Sequence, residues 1–205
     1  MEMQRRQGLL VVLEGIDGSG KTTQARALLR RLRYRGYKAA FFREPTRGRW
    51  GREIKKLAAR ADSLTPGEEL ELFVKDRREN VENNLRPALE SGKVVVLDRY
   101  YFSTIAYQGA KGIDTVKIRR MNEAFAVKPD LVVILDVDAK EGLARIRGRK
   151  TRDELFERED YLVRVGRIFR SFVGPEFVHI DGRGDRRAIS KAIWARVAPI
   201  LPPRA

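Results

Sequence analysis

The stretch "GLLVVLEGIDGSGKTTQARALLRRLRYR", residues 8–35, decides the fold. Its opening run, "LLVVLE" (9–14), has the aliphatic, β-branched character of a strand buried on both faces. Its closing run, "TQARALLRRLRYR", reads as a helix. Between them Gly15, Gly20, Lys21 and Thr22 match G-x-x-x-x-G-K-[ST]. Such a turn lets backbone N–H groups converge on phosphate oxygens, and the positive end of the following helix adds to the attraction. Gly15, Asp17, Gly18, Ser19, Gly20, Lys21, Thr22 and Thr23 are therefore expected to cradle the phosphates of a nucleoside triphosphate. Lys21 would reach the β- and γ-phosphates, and the Thr22 hydroxyl would ligate Mg²⁺.

Four more apolar runs look like buried parallel strands: "KAAFFRE" (38–44), "KVVVLDR" (93–99), "DLVVILDV" (130–137) and "EFVHID" (176–181). Helix-like segments separate them. This alternation predicts an α/β fold of three layers, a five-stranded parallel sheet between helices, as one domain over residues 1–205; the loop's likeness to P-loop NTPases implies that fold and its strand order 2-3-1-4-5. Ligands in such sheets bind beyond the carboxyl ends of the strands. Mg²⁺ needs a second anchor at a strand end, and Asp98, closing "KVVVLD", is chosen over Asp136. In "TPGE", Thr65 can cap, Pro66 takes the first helical position and Glu68 completes a capping box, so a helix starts there and runs towards residue 90. Residues 144–157, "ARIRGRKTRDELFE", lose apolar periodicity and turn basic, which suggests a lid between two helices.

Composition narrows the chemistry. The chain of 205 residues has no cysteine and one histidine, so disulfides, thiolate metal sites and a Ser-His-Asp triad are set aside, leaving Lys, Arg, carboxylates and hydroxyls. No apolar run approaches the ~18 residues of a membrane span, and no cleavable leader is evident, so a cytoplasmic protein with no membrane partner is expected. Its 43 basic residues against 28 acidic ones suit either a nucleic-acid binder or an enzyme that handles several phosphates. The basic residues are spread along the chain, often beside acids, and are read as a solvated, ion-paired surface with no nucleic-acid partner.

A phosphate loop is shared by GTPases, motors, recombinases and small-molecule kinases. The Asn-Lys-x-Asp run of a GTPase is absent, and the size and basic lid suit a small-molecule kinase. Several stretches, "EGIDGSGKTTQA", "REPT", "LFVKDRRENVENNLRPAL", "GKVVVLDRYYFSTIAYQG", "KPDLVVILDV" and "RDELFERE", resemble the thymidylate kinase family over most of the chain.

The resemblance implies ATP- and Mg²⁺-dependent phosphorylation of dTMP to dTDP by a homodimer. It places Phe73 and Arg77, four residues apart on one helix face, against the thymine ring and its polar edge. It puts Arg99 between donor and acceptor phosphates, Thr104 near the base, Tyr107 under the deoxyribose and Gln108 at a polar contact. Asp17 would approach the acceptor sugar, while Arg43, Glu44 and Pro45 would line the acceptor phosphate, with Arg43 favoured over Arg47 as its ligand. Because Gly18 stands where some members carry an Arg, a lid arginine should neutralise the transferred group. Arg145, Arg149 and Arg152 are the candidates, with Arg149 and Arg152 expected to be catalytic beside Lys21 and Arg99. Two alternatives stay open: a kinase for another acceptor such as dUMP, dCMP or a deoxynucleoside, and a nucleic-acid-binding ATPase.

Overall fold

The computed structural model describes residues 8–58, 64–146 and 152–203, with only the backbone of 58 and 152–157. Five parallel strands form one sheet: β1 (Leu9–Glu14), β2 (Ala39–Arg43), β3 (Val94–Asp98), β4 (Leu131–Asp136) and β5 (Phe177–Asp181), in the order β2-β3-β1-β4-β5. This is the expected order, and each strand lies within a run read from the sequence. All of β1 and β3 is buried. Side chains alternate across a strand, so Leu10 and Val12 of β1 enter one half of the core, while Leu9, Val11 and Leu13 enter the other.

The second half-core is closed by α1 (Lys21–Tyr34) and α9 (Arg186–Val197), through Ala25, Leu28, Leu32, Ile189 and Ile193. The first is closed by α3 (Pro66–Asn80), α5 (Tyr101–Gly109) and α8 (Arg152–Arg170), through Leu70, Phe102, Ile105, Val165 and Phe169. Burying each such Leu, Ile, Val or Phe side chain contributes about 1.5–3 kcal/mol, which holds the sheet between its two helical layers. Among the described residues the remaining α-helices are α2 (Arg49–Ala58), α4 (Arg86–Glu90), α6 (Thr115–Glu123) and α7 (Ala139–Arg145).

The expected capping box opens α3: the Glu68 N–H donates to Thr65 Oγ1 at 3.3 Å, and the Thr65 N–H donates to Glu68 Oε2 at 2.9 Å. The helix does not run regularly to residue 90. A π-helical turn at Val81–Leu85 separates α3 from α4. Pro87 is the physical reason: it lacks an N–H and its ring would meet the carbonyl four residues back, a conflict that a wider turn relieves.

Strand register brings three distant stretches level. Asp98 pairs with Leu13 on one side and Arg43 on the other. The residues following β1, β2 and β3 therefore emerge side by side at the carboxyl edge.

Candidate active site

The phosphate loop spans this edge. Gly20 caps α1 in a left-handed conformation (φ 94°), which carries the chain from the loop into the helix. Gly18 is also left-handed (φ 80°), and a Cβ there would lie 2.1 Å from the carbonyl oxygen of Gly142 on α7. Glycine at 18 thus has a steric reason, independent of where the neutralising charge comes from. Lys21, almost wholly buried, donates to the Ile16 carbonyl at 2.6 Å and to Ser19 Oγ at 3.3 Å. Burial, helped by the Arg99 charge, pushes its ammonium down to about 7. An anion in the loop would reverse that by favouring the charged form.

The Thr22 hydroxyl donates to Asp98 Oδ2 at 2.5 Å, and the other carboxylate oxygen, Oδ1, is buried with no hydrogen-bond partner. A hydroxyl beside a carboxylate with an unspent oxygen fits Mg²⁺, which takes one or two protein ligands and completes its shell with phosphates and water. Among the described residues there is no cluster of three or more His, Cys, Asp or Glu that could hold a metal. Asp136 lies elsewhere, against His179 Nδ1 at 2.8 Å.

A cavity of about 1120 Å³ runs along the loop, lined by residues 17–24 and, from other elements, by Arg43, Arg99, Arg145 and Arg158. A second of about 260 Å³ lies under α3, lined by Phe73, Arg77, Thr104, Tyr107 and Gln108 together with Glu44 and Pro45. Asp17, Arg43 and Arg99 line both cavities. Arg47 lines neither, facing a separate hollow beside β2. Of the lid arginines, Arg145 reaches the loop cavity and donates to the Gly182 carbonyl at 3.0 Å. Arg149 lies outside the described residues, and of Arg152 only the helical backbone is described.

Arg99 occupies the junction in a left-handed conformation unusual for a side-chain-bearing residue (φ 71°). Its Nη2 is paired with Asp17 and its Nη1 donates to Ser103 Oγ at 3.1 Å. The guanidinium also lies over the Tyr107 ring, 5.2 Å from its centre. The Tyr107 hydroxyl accepts the Asp17 N–H at 3.0 Å, so one aromatic residue braces both Asp17 and Arg99.

Arg77 differs most from its expected setting. It is 1% exposed, and its fork is spent inside the protein: Nε and Nη2 on Glu44 (2.8 and 2.7 Å), Nη1 on Asn122 (2.6 Å) and Nη2 on Thr104 (3.0 Å). The carboxylate of Glu44 accordingly turns into the protein, where burial raises its pKa against the pull of Arg77. Gln108 donates to Glu69 at 2.8 Å and leaves its carbonyl oxygen buried without a partner.

Glu69, Ser103, Lys111, Arg158 and Tyr161 line these cavities without having been expected there. Glu69 was within reach of sequence reasoning, since it precedes Phe73 by the same four-residue spacing that joins Phe73 to Arg77. Tyr161 was not, because it arrives from α8 to donate to the Tyr107 carbonyl at 2.9 Å.

Comparison with known proteins agrees with this geometry. The thymidylate kinase family profile matches residues 13–193. A probable thymidylate kinase of Archaeoglobus fulgidus is 48% identical over 84% of this chain and 86% of its own length. A thymidylate kinase of Brachyspira hyodysenteriae is 43% identical over 96% of this chain and 97% of its own length, and one of Desulfotalea psychrophila is 42% identical over 97% and 98%. A match over this span, on a sheet of this order with a phosphate loop facing a second cleft, places the chain in the thymidylate kinase family.

Proposed function

We propose that this enzyme transfers the γ-phosphoryl group of ATP to the 5′-phosphate of dTMP, giving dTDP and ADP. The observation that carries the reading is the shared wall: Asp17, Arg43 and Arg99 line both the phosphate-loop cavity and the cleft under α3. Donor and acceptor phosphates would meet there. Family membership points to dTMP as the occupant of the cleft. Phe73, Thr104, Gln108 and Tyr107 line the cleft, where Phe73 would offer the base an aromatic face, Thr104 and Gln108 polar atoms, and Tyr107 a surface for the sugar.

The acceptor phosphate is already ionised near neutral pH, so its oxygen attacks without a general base. Lys21 neutralises the donor phosphates, Arg99 bridges the two substrates, and Arg43 holds the acceptor phosphate. Arg145 and Arg158 add positive charge from the lid side, a role that Arg149 and Arg152 would share. Thr22 and Asp98 would hold Mg²⁺, which when bound withdraws charge from the phosphate oxygens. Catalysis is then positioning and charge neutralisation by preorganised groups. The enzyme acts as a homodimer, by family resemblance, and a cysteine-free chain needs no oxidising compartment, which fits the cytoplasm.

The test is ADP release with dTMP, dUMP, dCMP and single-stranded DNA offered separately. Turnover with dTMP is expected, with dUMP poorer by ~10- to 200-fold, since one methyl in a pocket discriminates by about that much. ADP release that needs DNA and ignores dTMP would replace this reading with the nucleic-acid-dependent one. Arg99→Ala should lower turnover by at least ~10²-fold with the fold intact.

A further inference from the structure

Glu14, the last residue of β1, is 0% exposed and lines neither cavity. A carboxylate in that position is costly, and an apolar residue of similar size would serve packing better. Its hydrogen bonds explain its presence. Oε1 accepts the backbone N–H groups of Tyr100 at 2.7 Å and Ser103 at 3.1 Å, and Oε2 accepts the Ser103 hydroxyl at 2.5 Å. Tyr100 is the N-cap of α5 and supplies no side-chain cap of its own. A carboxylate from another strand does that work and meets the positive end of the helix.

The residue just before Tyr100 is Arg99, whose left-handed backbone costs about 1–3 kcal/mol and persists only if its surroundings enforce it. The end of β1 supplies the enforcement twice. The Arg99 N–H donates to the Leu13 carbonyl at 3.1 Å, and the next N–H is held by Glu14. The side chain is held as well. A serine hydroxyl has one proton, and that of Ser103 is given to Glu14, so its lone pairs face Arg99 and accept from Nη1 at 3.1 Å. Asp17 holds one end of the guanidinium, and the Ser103–Glu14 pair holds the other.

We propose that Glu14 and Ser103 are positioning residues for phosphoryl transfer, acting through Arg99. This rests on the reading that Arg99 bridges the substrates. Glu14→Gln keeps an acceptor for the two amides but sets an NH₂ group against Ser103 Oγ. The serine proton loses its acceptor and must swing away, either toward Nη1, donor against donor, or into a direction with no partner, so the hold on the guanidinium loosens. The expected result is a fall in kcat of roughly 10- to 100-fold, the scale of a displaced catalytic group, with KM for ATP and dTMP within about 3-fold of the wild type. Ser103→Ala, which leaves the carboxylate and its backbone contacts in place, should lower kcat by about 10-fold.

The deciding measurement is a double-mutant cycle. In an Arg99→Ala background, Glu14→Gln or Ser103→Ala should cost less than about 3-fold in kcat, because residues acting as a unit are not additive. Full additional losses there would overturn the proposal while leaving the role of Arg99 standing. Near-normal turnover of Arg99→Ala alone would instead remove the reading on which it rests. If Glu14→Gln fails to fold, Ser103→Ala decides, and an unchanged kcat in that variant rejects the proposal.

Discussion

Arg77 and Glu44 form a buried ion pair at the floor of the acceptor cleft, and removing one partner should be costly. In Arg77→Met the side chain keeps much of its volume but loses all five N–H groups. Glu44, 2% exposed, is left with Asn80 as its remaining donor, at 3.0 Å. Asn122 Oδ1 and Thr104 Oγ1 lose the donor they share with it. Breaking a buried pair in this way costs about 3–5 kcal/mol, a large part of the ~5–15 kcal/mol by which a folded protein is stable. For a chain of this length that corresponds to a Tm lower by roughly 6–20 °C.

Adding Glu44→Leu removes the stranded charge, so the double variant should recover at least half of the loss. The single variant's deficit should also shrink at low pH. Burial already raises the Glu44 pKa, and without Arg77 nothing comparable opposes it. A raised carboxyl contributes stability below its unfolded value and loses it as pH rises through the folded one. Urea unfolding of the two single and the double variants at pH 5 and pH 8 measures both effects. A single-variant loss below about 1 kcal/mol, or additive losses in the double, would refute the reasoning.

Two further outcomes are expected. Gly18→Ala should lower stability by about 1–3 kcal/mol and raise KM for ATP, because a Cβ 2.1 Å from the Gly142 carbonyl forces the loop or α7 to shift; unchanged melting and KM would count against it. Glu14 gives a pH signature distinct from its proposed catalytic effect. Burial pushes its carboxyl from 4.5 up to about 7 despite its three donors, so the stability it contributes is complete below the lower value and lost as pH rises through the upper one. Relative to Glu14→Gln, the wild type should lose up to about 3 kcal/mol between those limits in denaturant titrations, and a pH-independent difference would contradict the assignment.

What the sequence determined by itself was whatever depends on near neighbours. The strands were legible because continuous aliphatic runs suit burial on both faces, and the phosphate loop because its residues act within one turn of backbone. The start of α3 was legible because the Thr65–Glu68 capping box closes over three residues. Phe73, Arg77 and Glu69 share a helix face for an equally local reason. The π turn ahead of Pro87 had a local cause too, but a proline alone does not say whether a helix will break, kink or widen.

The tertiary structure decided which distant groups share protons and charge. Glu14 meets Ser103 across 89 positions, Thr22 meets Asp98 across 76, and Arg77 meets Asn122 across 45. None of these contacts has a periodicity to betray it. They follow from parallel register, which sets the ends of β1, β2 and β3 level and so fixes which side chains face one another where donor and acceptor cavities join.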